Sequence, residues 1–369
     1  MLVFASFGVA IGTLAGSMPS VLRAAHVDSQ SFGLGLTLST FATVAAMSMG
    51  GVVARKASNR AVLLLALPLL ATFLFAFLTS QSPVWFFPAI IAMGTLFGLL
   101  DLFMNAEATA IEHDMRRPVF TAFHGAASAA VAISAILSSF ASVEYGPWAA
   151  ALGSCLSFGL AWLTVWRAVP ARPLASGRAA RIMALPNKTP LVLLGVSAGL
   201  IIAGETAALL WSAKLLDEIA PSLAAIAGLG AAFFGLCNAA VRFPGDSLRA
   251  RFGDLPLMIG SLLIAIAGFA VMGLSGNFAM NVAAFAAVGL GTAVLVPCIF
   301  AVAARFVPAN RAGGLGFVSL ISGLPRALAP WAFGLVAANF GIDRAFSLLA
   351  VAMVVALALV VVLMRSRDG

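Results

Sequence analysis

This sequence of 369 residues has very little charge, because Asp, Glu, Lys and Arg together make up only 9% of it. It also holds only three cysteines, three histidines and one tyrosine. Soluble domains carry about 25% charged residues, so this composition excludes a protein that presents its whole surface to water. The few cysteines exclude a disulfide-rich scaffold and are expected to be free thiols. The histidines are too scattered to predict a metal site, and we expect no cofactor.

Apolar residues are abundant, at 62% of the chain, with a mean hydropathy of +1.08. They form unbroken segments, each long enough to cross a hydrocarbon core of ~30 Å as a helix of about 20 residues. Barrel strands would instead alternate over about ten residues, so we predict helices. The twelve predicted spans are residues 2–22, 32–54, 61–79, 84–111, 118–141, 147–167, 190–213, 222–244, 255–274, 278–304, 312–339 and 344–364.

A polar stretch at residues 168–189 separates two sets of six spans. We therefore predict an N-terminal half over 1–167, a cytoplasmic linker, and a C-terminal half over 190–369. Of the 21 Lys and Arg residues, 17 fall on alternate connections or at the C-terminus. By the positive-inside rule, these connections and both termini face the cytoplasm. The first span begins at residue 2 without a preceding basic segment, which is atypical of a signal peptide.

A short loop is repeated in the two halves. GVVARKASNR begins at Gly51, after the second span, and GDSLRARFG begins at Gly245, after the eighth. The pattern resembles the Gly-x-x-x-Asp-Arg-x-Gly loop of the major facilitator superfamily of transporters, although Arg55 and Ser58 depart from it in the first copy. The resemblance covers essentially the whole chain. It implies an all-α membrane protein with the major facilitator fold, in which 12 transmembrane helices form two pseudo-symmetric six-helix halves.

The stretch LLDLFMNAEATAIEHDMRRPVFTAFHG, residues 99–125, is unusually polar for this chain. Its acid, Met-Asn-x-Glu and His-Gly elements are similar to a bacterial inner-membrane branch related to the fucose permeases. AGETAALLW, residues 203–211 of the seventh span, resembles the same branch. Members of that branch have no settled substrate. The resemblance therefore implies a transporter of the bacterial inner membrane, and not an enzyme.

Three acids inside the spans are candidates for proton coupling: Asp101 and Glu107 in the fourth span and Glu205 in the seventh. A charge at mid-membrane costs roughly 2.5–3.5 kcal/mol, so it normally faces the bundle interior or a watery cavity. Removal from water favours a protonated carboxyl group, whose charge would then depend on the side to which the cavity opens. Alternatively, Asp101 and Glu107 form a static hydrogen-bonded network with Asn105 that joins helices. For Glu205 the alternative is a hydrogen bond to a hydroxyl such as that of Thr206.

The solute is expected to bind near the membrane midplane, between the two halves. Arg326 is interpreted as a countercharge for an acid or, alternatively, as a bidentate ligand for an anionic substrate. Trp211 is either a substrate contact or an interfacial anchor. His124 lies four residues before Ser128, but no oxyanion-hole loop or nucleophile turn accompanies them, so we expect a hydrogen bond or a proton relay. The candidate substrate-binding residues are Asn105, His124, Arg326 and Trp211.

Charged residues at the predicted cytoplasmic mouth form a candidate gate. We expect them to latch this side when the protein opens outward, although a single exposed ion pair contributes only ~0–1 kcal/mol. The candidate gating residues are Glu112, Arg242, Asp246, Arg249 and Arg251.

The sequence thus predicts a proton-coupled symporter for a small polar solute such as a sugar-like metabolite. Its expected partners are that solute, protons and the lipid bilayer, without nucleic acid, and we expect a monomer. One alternative is an exporter of amphipathic compounds or drugs. The segment SAAVAISAILSSF, residues 128–140, lacks the Gly-Pro-rich pattern of such exporters. The other alternative is a transport-inactive sensor or scaffold.

Overall fold

The structure, a computed structural model, describes residues 1–116, 119–171, 188–307 and 311–368. The predicted linker, residues 168–189, falls largely outside these ranges. The regular structure of the described part is helical throughout. Eleven of its helical segments, one of them the broken segment Phe278–Phe306, are long and apolar enough to cross a membrane. With one shorter apolar helix, Leu229–Arg242, they form the predicted multi-pass bundle.

The first six helices agree with the six predicted spans of the N-terminal half. Two of them start at side-chain caps: Asp28 accepts a hydrogen bond from the Ser31 amide, and Ser58 accepts one from the Ala61 amide. Such caps satisfy amides that lack partners in the first helical turn. The helices are α1 (Leu2–Ala24), α2 (Ser29–Lys56), α3 (Asn59–Leu78), α4 (Pro83–Met115), α5 (Phe120–Glu144) and α6 (Pro147–Ala168).

The C-terminal half contains more helices than predicted, because three of its spans are interrupted or shortened. A short 3-10 helix, Pro221–Ile226, lies between two of them. The helices are α7 (Thr189–Leu210), α8 (Ser212–Ile219), α9 (Leu229–Arg242), α10 (Gly245–Phe252), α11 (Asp254–Leu274), α12 (Phe278–Thr292), α13 (Leu295–Phe306), α14 (Arg311–Phe340) and α15 (Ile342–Asp368).

The bounds predicted for the eighth span, residues 222–244, are wrong at the N-terminal side. Only α9, Leu229–Arg242, is α-helical, and its 14 residues make it the shorter apolar helix of the bundle. Pro221 begins the separate 3-10 helix. Gly228 then brings the chain so close to α5 that an added Cβ would lie 2.0 Å from the Ala135 carbonyl oxygen. This approach to α5 fixes the chain at the start of α9.

The tenth span is broken between α12 and α13. Pro297 lies in the first turn of α13 and has no backbone N–H. The carbonyl of Ala293, four residues earlier, therefore lacks its usual helical donor. It accepts a hydrogen bond from the side chain of Arg242 instead, at 3.3 Å from Nε. The break thus exposes a backbone acceptor to the neighbouring helix α9.

The packing of the helices repeats between the two halves. In the N-terminal half α1 packs against α5 and α6, α2 against α4, and α3 against α4 and α6. In the C-terminal half α7 packs against α14 and α15, α9 against α12, and α11 against α12 and α15. The halves meet chiefly where α2 packs against α14 and where α5 packs against α9. The arrangement is pseudo-symmetric, as the sequence predicted.

Small and hydroxylated residues hold α1 within the N-terminal half. Added Cβ atoms at Gly8, Gly12 and Gly16 would lie 2.1–2.3 Å from atoms of α5. Hydroxyl pairs join α1 to the other helices, including Ser154 to Thr13 at 2.9 Å. Packing is therefore the role of this glycine series, since it allows close approach of the helix backbones.

Candidate functional site

A cavity of about 480 Å³ lies between the two halves. It is situated at the end of the bundle where α5 begins, α9 ends and α10 lies, which we call the cavity end. Residues of α5 form one wall, and α9, α10, the break between α12 and α13, and the first turn of α13 form the others. The polar residues that line it are His124, Ser128, Arg242, Asp246 and Arg249.

A chain of hydrogen bonds joins α4 to the α5 wall of the cavity. Asn105 donates through Nδ2 to the Asp101 carboxylate at 2.9 Å, and its Oδ1 lies 3.0 Å from Nε2 of His124. Because the amide oxygen can only accept, Nε2 of His124 is the donor in this contact. Ser128 donates to the backbone oxygen of His124 at 3.1 Å, so its hydroxyl does not contact the imidazole. The structure therefore brings together three of the predicted residues, Asp101, Asn105 and His124.

A second cluster lies in the C-terminal half. Asn238 of α9 donates to the Glu205 carboxylate of α7 at 3.1 Å, and Arg242, one turn further along α9, lies 3.6 Å from the same oxygen. The Asn238 amide also lies 3.3 Å from the hydroxyl of Thr292 on α12. The Arg242 side chain is 52% exposed and that of Glu205 is 16% exposed. The guanidinium therefore faces the cavity, and the acid lies behind it.

Glu107 lies apart from both clusters. Its carboxylate accepts a hydrogen bond from Nδ2 of Asn59, at the start of α3, at 3.0 Å. Both residues are 4% exposed. The other carboxylate oxygen of Glu107 and the amide oxygen of Asn59 have no hydrogen-bond partner in the described part of the chain. Asp101 and Glu107 of α4 therefore have different neighbours, and Glu107 contacts α3 and not the cavity.

Trp211 is at the opposite end of the bundle, where α1 and α7 end and α2 begins, which we call the closed end. Its side chain is only 1% exposed. The indole lies between the rings of Phe32 and Phe333, with centroid distances of 4.6 and 4.8 Å. The interfacial-anchor interpretation is wrong, because an anchor would face the lipid headgroups and this indole is enclosed by protein. In this conformation it also lies away from the cavity.

Two further contacts join the halves at the closed end. Arg23 at the end of α1 pairs with Asp217 of α8. The backbones of α2 and α14 meet at Gly33 and Gly334, where a Cβ added to Gly33 would lie 2.3 Å from the carbonyl oxygen of Pro330. The cavity therefore does not continue between the halves at these contacts.

The predicted gating residues belong to four separate contacts. Arg249 bonds to Asp246 at 3.0 Å and to Asp254 at 2.8 Å, which ties α10 to the start of α11. Glu112 accepts a hydrogen bond from the amide of Val119 at 2.9 Å and closes the connection before α5. Arg251 lies over the ring of its neighbour Phe252, with 5.3 Å between the guanidinium and the ring centroid. The third basic candidate, Arg242, pairs with Glu205 as described above.

Arg326 lies on α14. Its Nε is buried and has no hydrogen-bond partner among the described residues. No acid of the described ranges forms an ion pair with it, so the countercharge interpretation is not what the structure shows. Cys155, Cys237 and Cys298 are free cysteines.

The sequence interpretation missed Asn238, Thr292 and Asn59 as partners of the intramembrane acids. For Asn238, the sequence contained one indication of a shared site. Asn238 and Arg242 are four residues apart, so a helix places both side chains on the same face. The partnerships with Glu205 and Glu107 themselves join different helices, and nothing in the local sequence marks them.

Residues 194–369 match the family model described as Major Facilitator Superfamily. The chain is 28% identical over 340 residues to the uncharacterized transporter y4wD of Sinorhizobium fredii, covering 89% of this chain and 88% of that protein. It is 26% identical over 353 residues to Membrane protein MosC of Rhizobium meliloti, with coverages of 95% and 86%.

Among solved structures, the fold is similar to that of the nucleoside transporter NupG. The TM-score is 0.81, the sequence identity is 15%, and the likeness covers 98% of each chain. At that identity the likeness concerns the fold.

Proposed function

We propose that this chain is a secondary active transporter of the major facilitator superfamily that moves a small polar solute together with protons. We place it in a bacterial inner membrane with both termini in the cytoplasm, since basic residues concentrate on the connections of that side. The polar lining of the cavity between the halves supports a polar solute. The fold likeness to a nucleoside transporter is compatible with a solute that contains a sugar.

One observation carries the proposal: the Glu205 carboxylate lies behind the cavity-facing guanidinium of Arg242. A proton bound by Glu205 removes its charge and weakens its hold on Arg242. The guanidinium is then available to a solute in the cavity. Loss of the proton restores the ion pair and competes with the bound solute. Proton binding and solute binding are thereby linked through one side chain.

The second proton site in this proposal is Asp101 on the opposite wall. Its connection to the cavity runs through Asn105 and His124, which form a continuous hydrogen-bonded path. Glu107 receives no coupling role, because its contacts are with α3. Movement of the halves 1–167 and 190–369 about this site would expose it alternately at the cavity end and at the closed end.

The proposal is tested with the purified protein in liposomes under an imposed pH gradient. A panel of sugars and nucleosides serves as probes, and both solute accumulation and solute-induced proton movement are measured. We expect Glu205→Gln to lose gradient-driven accumulation but to retain exchange of solute across the membrane. Glu107→Gln is the matched control, since it removes an intramembrane acid outside the cavity.

Undiminished gradient-driven uptake by both Asp101→Asn and Glu205→Gln would contradict the assignment of the proton sites. A parent protein that moves neither solute nor protons would contradict the transporter proposal and favour a sensor or scaffold. Gradient-driven extrusion of amphipathic dyes instead of polar solutes would favour an exporter.

A further inference from the structure

An arginine whose Nε has no hydrogen-bond partner among the described residues lies inside the membrane-spanning part of the C-terminal half. Arg326 is 15 residues beyond the start of α14 at Arg311, at mid-membrane depth. Its Nε is buried and donates no hydrogen bond to any of the described residues. A charged side chain at this depth is unfavourable and is normally paired or faces a watery cavity. The Nε–H of Arg326 is therefore a buried donor that the described part of the chain leaves available to an anion.

The intramembrane acids already have other partners. Asp101 bonds to Asn105, at 2.9 Å. Glu205 bonds to residues of α9, and Glu107 bonds to α3. An ion pair between Arg326 and one of these acids would require that acid to leave its present contacts.

The contacts of α14 define the direction in which Arg326 points. Pro325 lies against Gly199 of α7, and Pro330 lies against Gly33 of α2. At about 100° per residue, position 326 falls between these two contact faces. The lipid-facing side of the helix, marked by the exposed Leu320 and Leu324, is elsewhere. Arg326 thus occupies the sector of α14 that faces the space between the two halves.

Two neighbours in the same sector leave room beside it. Ser319 is exposed although it lies within a helix of the bundle. A Cβ added at Gly323 would have no atom within 4 Å. The sector around Arg326 therefore combines a hydroxyl, open space and an unsatisfied guanidinium. These are the groups expected of a site for a polar anion.

We propose that the solute carries a carboxylate and that Arg326 binds it. The inference rests on the proposed transport function and names its substrate class, a hydroxylated monocarboxylate. Arg242 is already paired with Glu205, whereas no acid of the described residues forms an ion pair with Arg326. One negative charge matches it, whereas a dianionic phosphate would leave an excess. The planar guanidinium also fits a carboxylate through two parallel hydrogen bonds.

A consequence for coupling follows directly. If one proton accompanies each carboxylate, the charges of the two cancel and transport is electroneutral. A neutral sugar moved with a proton would instead carry one positive charge per cycle. Membrane potential therefore distinguishes the two substrate classes.

The binding test compares matched probes on the full-length protein. D-gluconate and D-glucuronate are the carboxylates, D-glucitol and D-glucose are their neutral counterparts, and inorganic phosphate is added separately. Thermal stabilisation in detergent is measured for the parent, Arg326→Gln, Arg326→Lys and the control Arg344→Gln. Arg344 suits the control because it is an exposed arginine outside the cavity, with its side chain 71% exposed.

We expect saturable stabilisation by the two carboxylates and none by their neutral counterparts. Arg326→Gln should weaken carboxylate binding roughly 10- to 100-fold, as expected for the loss of a charge-assisted bidentate contact. Arg326→Lys should retain part of the affinity, and Arg344→Gln should match the parent. If Arg326→Gln does not fold, the same comparison is made between the parent and Arg326→Lys.

Equal stabilisation by neutral and anionic probes would overturn the inference, as would stabilisation by phosphate alone. The absence of any carboxylate effect at tens of millimolar would also overturn it. Proton-coupled movement of a neutral sugar that is driven by the membrane potential would contradict a carboxylate solute. The proposed function, proton-coupled transport, would still hold. If no solute and no proton moved, the proposed transport function would be contradicted. The Arg326-dependent thermal stabilisation would then show separately whether the protein still binds a carboxylate.

Discussion

Arg242 lies 3.6 Å from the carboxylate of Glu205, and the same side chain donates through Nε to the carbonyl of Ala293 at 3.3 Å. One guanidinium therefore connects α7, α9 and the break between α12 and α13. That break provides the acceptor because Pro297 lacks the amide that would otherwise occupy it. The side chain that forms the ion pair is thus also bonded to the backbone of the cavity wall.

The strength of this pair can be measured with a double-mutant cycle. Arg242→Ala leaves a carboxylate of low exposure without its cation, so we expect each single variant to unfold at a lower temperature than the parent. The coupling free energy between Arg242→Ala and Glu205→Ala should be about 0.5–3 kcal/mol, as for residues in one network. The measurement is thermal and denaturant unfolding in detergent. Arg251→Ala, at an exposed position of α10, serves as the control, and a coupling free energy near zero would contradict the pair.

Substitutions of Glu107 test its structural role. In Glu107→Gln the new amide can donate to the oxygen of Asn59 that now lacks a partner, while the Gln oxygen still accepts from Asn59. We therefore expect Glu107→Gln to unfold at a temperature equal to or above that of the parent. Glu107→Ala leaves the Asn59 amide unpaired in a buried site and should lower stability by about 1–3 kcal/mol. Equal damage from the two variants would show that the carboxylate charge itself is needed.

The contact between α2 and α14 predicts a conformational effect of Gly33→Ala. The added methyl would lie 2.3 Å from the Pro330 carbonyl oxygen, so the two helices must separate. We expect a loss of roughly 1–3 kcal/mol in the described conformation, as for overpacking, and a longer distance between spin labels at the closed end. Gly51→Ala is the control on the same helix, because no atom lies within 4 Å of its Cβ position. Unchanged label distances in Gly33→Ala would argue against this contact.

The ion pair between Arg23 and Asp217 predicts a rescue by charge reversal. Because Arg23 is largely exposed, with 58% of its side chain accessible, Arg23→Asp should lower stability by only ~1 kcal/mol or less. We expect it to increase the population that is open at the closed end, measured as faster labelling of a cysteine introduced at Ala224. Combining it with Asp217→Arg should restore the parent rate. A double variant that labels as fast as the single one would show that the pair does not hold the halves together.

Much of the fold could be predicted from the sequence, because the length and hydropathy of a membrane span are local properties. The six helices of the N-terminal half agree with their predicted spans for this reason. The start of α9 could not be predicted, since it depends on the approach of Gly228 to Ala135 in another helix. The sequence shows a proline and a glycine there, but it does not show what they touch.

The candidate site was predictable only in its acids. Asp101 and Glu205 stand out because charged residues are rare inside apolar spans. Their environments depend on the rotation and height of separate helices, which local sequence does not determine. Asp101 and Glu107 are six residues apart on one helix, yet one reaches α5 through Asn105 and the other reaches α3. Trp211 shows the same limit, since its enclosure depends on rings from α2 and α14.

The meeting of Gly33 with Gly334 brings two main chains together with no side chain between them. A junction of that kind has no rotamers to adjust and no flexible atoms to yield gradually. The two backbones are either in full contact or separated. We therefore expect the halves to separate abruptly there, with few intermediate positions populated.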